Sequence, residues 1–219
     1  MAAIFADAAC LTAEAAPVVI AVEWPEIDQT IIDAFIASDG GAEAKRAFLT
    51  ARIWHGPMKD GRSSEAMFGL FERMRVMHRQ GHVLAVVAIQ PTSFETRPTP
   101  AEYEVAMARL VQGAAQGEIR VLALVGNVHA MLEELPRQPP YLPMAAHLPG
   151  DRTISLNLVP NGGETWNCQG QPMVCAAHPM AAPRQPFERG IVLTDEGEQP
   201  FSGTVYLGTA ATASPPQRQ

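Results

Sequence analysis

The chain has 219 residues, a formal charge of −7 and a pI near 5.3. That acidity argues against nucleic acid or an anionic membrane surface as a partner. No run approaches the roughly 18 apolar residues that a membrane span requires, while 47% hydrophobic residues can fill the core of one domain.

The segment from Met1 to Ala8 lacks a basic start and carries Asp7 where a leader would be apolar, so it makes a poor signal peptide. Read as it stands, the product is expected in the cytosol; a true start further upstream, with a leader, would make it periplasmic or secreted. Residues 3–15 are alanine-rich and favour a helix that Pro17 ends. Val18 to Val22 then reads as a buried strand running straight into Glu23. A helix is expected after Pro25, with Ile27, Thr30, Ile31, Ala34 and Phe35 recurring at helical spacing up to Gly40-Gly41. Another is expected over 42–54. The polar stretch from His55 to Ser64 leads into a helix whose apolar stripe is Met67, Leu70, Phe71, Met74 and Met77, capped by Ser63 or Ser64 and stopped at Gly81.

His82 to Ile89 reads as a second strand, 100–116 as a helix with Pro100 near its first turn, and 120–125 as a strand buried on both faces. Strand and helix thus alternate over the first 130 residues, the signature of an α/β fold with a mostly parallel central sheet and right-handed crossovers. Beyond that, prolines enclose a loop, 153–158 alternates as a strand, and 203–208 reads as the last one. One domain is expected over 1–210, its C-terminal part an irregular and β extension, with a disordered tail over 211–219.

Two strand ends carry the best candidates for chemistry. Val125 is followed by Gly126-Asn127-Val128-His129, and ligands of α/β sheets collect beyond the carboxyl ends of strands. Gly126 would tighten that turn without steric cost, leaving His129 as a general base or a metal ligand. As a purely structural residue it would cap the turn. Glu23 would cap the following helix in the bland reading. In the functional one, burial beside Trp24 raises its pKa and suits it to act as a base.

In Asp60-Gly61-Arg62-Ser63-Ser64, Asp60 and the serines read mainly as turn and cap, and Arg62 as a clamp for a carboxylate or phosphate. His147 would line the same cleft as His129. His55, His78 and His82 stand near helix ends, where surface or cap roles are the default. Cys168, Cys175 and His178 do not match a common metal spacing. Cys168 and Cys175 would be free thiols in the cytosol and a disulfide after export, with Cys10 left over.

With Gly126 to His129 and Glu23 in view, the chain resembles the superfamily that joins TraB/Tiki proteins, erythromycin esterases and ChaN-like haem-binding proteins. Gly126 to His129 looks like the later of that superfamily's two Gly-x-x-His motifs, and Val22-Glu23-Trp24 like its glutamate-bearing strand. The phrases from Asp60 to Met67, from Gly163 to Cys168 and from Gly208 to Pro215 resemble an uncharacterised bacterial branch. The earlier motif, which should precede residues 3–15, is absent. The resemblance implies a hydrolase in which Glu23 and His129 activate water, directly or on a divalent metal that they ligate. Arg62, Asn127 and His147 would contact a small-molecule or peptide substrate. The alternatives it leaves are a binding protein holding haem or a metal near His129 and Met144 without turnover, or an N-terminally truncated, inactive relative lacking its first motif.

Overall fold

A computed structural model describes residues 2–194 and 200–218 of the chain; Met1 and Gln219, the outer ends of the expected domain and tail, lie outside them. The first half is an α/β unit. Strand β1 (Val18–Pro25) is flanked by β2 (Val83–Gln90) and β3 (Arg120–Leu124), all parallel, in the order β2-β1-β3. Val18 to Val22 pair in unbroken register with Arg120 to Leu124. β1 is therefore the central strand. β3, expected to be buried on both faces, is an edge of this sheet and only half-buried. Its apolar run signals a strand but cannot say which side another strand covers.

The alternation of side chains along β1 sorts the helices onto two faces. Val18, Ile20, Val22 and Trp24 point into a core shared with α1 (Ala2–Ala13), α2 (Gln29–Ala37), α3 (Ala42–Phe48) and α5 (Glu65–Arg79). Ala21 points to the other face, where Ile89 of β2 and Met107, Ala108 and Val111 of α6 (Pro100–Ala114) pack with Met144 and Ala145. Glu23 shares Ala21's parity and so emerges on the α6 face. Trp24 goes the opposite way.

Trp24 is fully buried, with Phe71 at 4.4 Å and Trp54 edge-on at 4.9 Å between ring centroids. Its indole Nε1 donates to the Arg62 carbonyl at 3.1 Å, which ties the aromatic core to the loop carrying Arg62. Trp24→Ala is expected to lower unfolding stability by about 3–5 kcal/mol, measured by urea denaturation. A loss below about 1 kcal/mol would mean that the cluster does not anchor the sheet.

The helix expected over 42–54 is two, α3 and the short α4 (Arg52–His55). The buried Asp28 carboxylate accepts from the Arg52 and Ile53 amides at 3.0 and 3.4 Å. A cap supplied from outside the local sequence thus starts a second helix at Arg52. Ser64, not Ser63, caps α5, accepting from the Met67 amide. At the start of α6, Thr99 and Glu102 form a capping box.

The second half is a β extension. After a single helical turn α7 (Asn127–Ala130) come β4 (Leu156–Val159), the hairpin of β5 (Gly163–Gln169) and β6 (Val174–Met180), then β7 (Gly190–Leu193) and β8 (Gly203–Tyr206). β4 and β7 flank β8. Cys168 and Cys175 stand opposite each other in the hairpin and form a disulfide; Cys10 is free.

Residues 211–218, expected to be disordered from their Ser/Pro/Gln composition, follow a defined path instead. The Glu65 amide donates to the Pro215 carbonyl, the Ala66 amide to Ser214 Oγ, and the Gln217 amide to the Ser63 carbonyl. The open N-terminus of α5 offers donors that composition does not reveal. Among the described residues, no helix is long and apolar enough to cross a membrane.

Candidate functional site

β1 hands on to helices on one sheet face, whereas β3 hands on to α7 and the 144–147 turn on the other. Connections that leave adjacent parallel strands on opposite faces open a crevice at the strands' carboxyl ends. Glu23 lies near the end of β1, two residues before Pro25, Gln90 ends β2, and Gly126 comes two residues after β3.

Gly126 has φ −64° and ψ 151°, a conformation open to any residue, so it is not required by a tight turn as the sequence implied. What the position supplies is its amide, which donates to Glu23 Oε2 at 2.8 Å and joins the ends of β1 and β3. One helical turn then carries His129 back over the crevice.

His129 does not stand alone with Glu23. Its Nδ1 meets both oxygens of Glu104 on α6, at 2.8 and 2.9 Å. Glu104 is only 3% exposed and also accepts from the Met144 amide at 2.7 Å. A carboxylate accepts only, so it fixes the proton of neutral His129 on Nδ1 and leaves Nε2 with the basic lone pair. That nitrogen faces Glu23 Oε1 at 3.9 Å, beyond hydrogen-bonding distance.

Glu104 was missed in the sequence. It reads as one of many glutamates on an amphipathic helix, and only its place on the buried side, beside Met107 and Ala108, distinguishes it.

Arg62 is placed at the crevice but its donors are engaged within the chain. Nε and Nη2 bind the Asp60 carboxylate, Nη2 at 2.6 Å, and Nη1 binds Glu23 Oε1 at 2.8 Å and Gln90 Oε1 at 3.4 Å. The clamp read from the sequence thus closes on the protein's own carboxylates. Burial lowers the Arg62 pKa, yet Asp60 and Glu23 together raise it above its ordinary value. Glu23, expected to be desolvated beside Trp24, is instead held by Arg62 and the Gly126 amide because the two side chains lie on opposite faces of β1.

Asn127 donates through Nδ2 to Asn157 Oδ1 of β4 at 2.9 Å, latching the two halves of the chain together. His147 is not brought to the crevice. Its Nε2 lies 3.2 Å from the Leu142 carbonyl, and its own carbonyl accepts from Gln112. Gln112 is eight residues, or about 12 Å of helix, beyond Glu104.

Burial is the largest influence on His129 and disfavours its charged form. The Glu104 hydrogen bond and the charges of Glu23 and Glu104 outweigh it, and Arg62 opposes them. The net effect raises the pKa above the usual histidine value. Tyr103, the neighbour of Glu104 on α6, is pushed up to about 12 by burial and then by Glu23 and Glu104, against Arg62 and a hydrogen bond with Gln90. Its ring centroid lies 6.1 Å from that of His129. Replacing Arg62 with methionine removes the positive charge that lowers the His129 pKa. The His129 titration midpoint is therefore expected to rise, read by ring NMR; a fall would contradict this electrostatic assignment.

Neither metal nor haem fits these residues well. Among the described residues, no three of His, Cys, Asp and Glu are placed to hold a metal ion. Both Glu23 oxygens already face donors, one of them the Arg62 guanidinium, whose charge would repel a metal ion between Glu23 and His129. An axial haem ligand needs an open face at His129. Glu104 on Nδ1 would leave Nε2 as the ligating nitrogen, but Glu23 Oε1 stands only 3.9 Å from it, with no room shown for a macrocycle, and Met144 is buried among Ala21, Ile89 and Met107.

The fold and crevice define an α/β protein in which a buried carboxylate is paired with a half-buried histidine at the carboxyl end of a three-stranded parallel sheet. No family model, curated protein or solved structure matches the chain.

Proposed function

We propose that the protein is a hydrolase of esters or amides in which the Glu104–His129 pair activates water. The observation that carries this reading is the 2.8 Å contact between Glu104 and His129 Nδ1, which leaves Nε2 as the basic nitrogen at the crevice. An imidazole held in one tautomer by a buried carboxylate is a general base whose cationic form that carboxylate also stabilises. Nε2 takes a proton from water, the resulting hydroxide adds to the substrate carbonyl, and the imidazolium returns the proton to the leaving group. Glu23 Oε1 lies close enough to Nε2 for one water to contact both atoms. Tyr103 stays protonated at neutral pH and is the nearby donor suited to the developing oxyanion.

The resemblance of Gly126 to His129 and of Glu23 to the TraB/Tiki and erythromycin esterase superfamily supports the same class of reaction, on a small-molecule or peptide substrate. The Cys168–Cys175 disulfide supports an oxidising compartment, periplasmic or extracellular, over the cytosol.

The test is turnover of a panel of p-nitrophenyl esters and short peptides by the wild-type chain and by His129→Ala. A reaction lost in the variant supports the reading. Equal rates in both, or no turnover of any ester or peptide, would sink it.

A further inference from the structure

The hairpin of β5 and β6 is a ribbon of two strands, and among the described residues no third strand joins it. None of its residues from Gly163 to Met180 is buried, and none belongs to either hydrophobic core. An isolated two-stranded hairpin is marginally stable in water. The staple of this one is the disulfide between the directly opposed Cys168 and Cys175. Trp166, two residues before Cys168, lies on the same face of β5 because side chains alternate along a strand.

This ribbon fastens the loop that carries Arg62, and it does so at both ends. Trp166 Nε1 donates to the Lys59 carbonyl at 2.6 Å, and Gly61 lies against the Trp166 carbonyl. At the root of the ribbon the Ala211 amide donates to the Gly162 carbonyl, and the Glu164 amide to the Ala211 carbonyl. Further along the same segment, the Gln217 amide donates to the Ser63 carbonyl at 2.8 Å. Lys59 and Ser63 bracket Asp60 and Arg62, and Arg62 holds Glu23 Oε1 at 2.8 Å. A path of bonds thus runs from the stapled ribbon to the carboxylate that faces His129. The Trp24 indole ties the loop to the aromatic core independently. Releasing the ribbon therefore loosens the loop and leaves the core folded.

We propose that the Cys168–Cys175 bond is a redox switch for the site, competent while the bond is closed and disabled when a dithiol reductant opens it. This regulation rests on the hydrolase reading of His129 and adds the condition under which that chemistry runs. One thiolate of the reductant attacks a cystine sulfur, the sulfur–sulfur bond breaks to a mixed disulfide, and the reductant's second thiol displaces the protein. The protein gains two electrons and two protons as two thiols, and the reductant leaves as its own disulfide. Both cysteines are half-buried beside the exposed turn from Gln169 to Val174, within reach of a small thiol. The chain has three cysteines and Cys10 is free, so the reductant has a single target. Once the loop loosens, Arg62 no longer holds Glu23, and the positive charge that opposes protonation of His129 withdraws. More of the base is then protonated at neutral pH. The switch keeps the chain silent in a reducing compartment and active in an oxidising one.

The experiment compares four forms of the full chain: oxidised, reduced by a dithiol that is then removed under nitrogen, Cys168→Ser/Cys175→Ser, and Trp166→Phe with its disulfide intact. Ester turnover at neutral pH and the His129 midpoint by ring NMR are read on each, with circular dichroism as a check on the fold. Reduction and the double variant are expected to lower kcat/KM at least about fivefold, the lower end of coupling between two sites, and to raise the His129 midpoint. Reoxidation should restore both. Trp166→Phe should behave like the reduced chain and respond little to further reduction. A midpoint that is the same in the oxidised and reduced chains, a Trp166→Phe indistinguishable from wild type, or collapse of the whole fold on reduction would overturn the proposal. Because the midpoint is read without turnover, the two failures are separable. A redox-dependent midpoint with no hydrolysis in any form sinks only the hydrolase reading. His129-dependent hydrolysis indifferent to reduction sinks only the switch.

Discussion

Replacing Glu104 with glutamine lowers kcat/KM for the ester substrates by about 10²- to 10⁴-fold, the range general-base catalysis typically supplies, although Glu104 touches no substrate. The carboxylate acts through His129. It accepts from Nδ1 at 2.8 Å and places negative charge behind the imidazolium that forms when Nε2 takes a proton. Glutamine keeps the shape and the acceptor for the Met144 amide, but it carries no charge. Its amide nitrogen can also donate to Nδ1, which favours the opposite tautomer and removes the lone pair from the crevice side.

Two further readouts separate positioning from mere structural damage. The His129 titration midpoint should fall in Glu104→Gln, since both the hydrogen bond and the charge that raise it are weakened. Melting should change little. Glu104→Ala should in addition lose about 1–3 kcal/mol of stability, because the buried Met144 amide then has no acceptor. Unchanged kinetics in a folded Glu104→Gln would remove the pair from the mechanism.

The second large effect is on pH dependence. Burial and three charged groups set it: Glu104 from α6, Glu23 from β1 and Arg62 from the 60–63 loop, with Tyr103 and Asp60 standing beside them. The folded-state pKa of His129 lies above its unfolded value, so the folded protein holds this proton more tightly. Its contribution to stability is fully present below the unfolded value, about 6.5, and is lost as pH rises through the higher folded value. Urea denaturation of the wild type and His129→Gln across this window should show their difference narrowing as pH rises. A difference that widens with pH would reverse the assignment. Activity runs the other way, since only the neutral imidazole can act as the base, so kcat/KM should rise with pH over the same interval. Tyr103, near 12, stays protonated throughout.

The α/β class and the carboxyl-end placement of Glu23 and His129 followed from strand-like runs that stop at a glutamate and at Gly-x-x-His. Local pattern is enough for that, because a buried parallel strand has a recognisable composition. Strand order is not local. Nothing in Val121 to Val125 says that its far side is an edge, or in Val18 to Val22 that it is central. Partners across the sheet are equally hidden. Glu104 lies 25 residues from His129, and Asp60, which caps its turn as expected by accepting from the Arg62 amide, also binds the Arg62 guanidinium. Arg62 shows why a charged residue at a site is ambiguous in sequence: its fork fits a substrate carboxylate and a protein carboxylate equally well. The 211–218 segment shows the same limit for backbone groups, since its order comes from donors and acceptors at the start of α5, well over a hundred residues earlier.

The measurement to make first is long-range proton–nitrogen NMR of His129 in the wild-type chain, titrated from acid to alkaline pH. The Glu104–His129 pair requires the neutral imidazole to carry its proton on Nδ1, with a midpoint above the ordinary histidine value. A neutral ring protonated on Nε2, or a midpoint at or below that value, would mean that Glu104 does not hold His129 as a base.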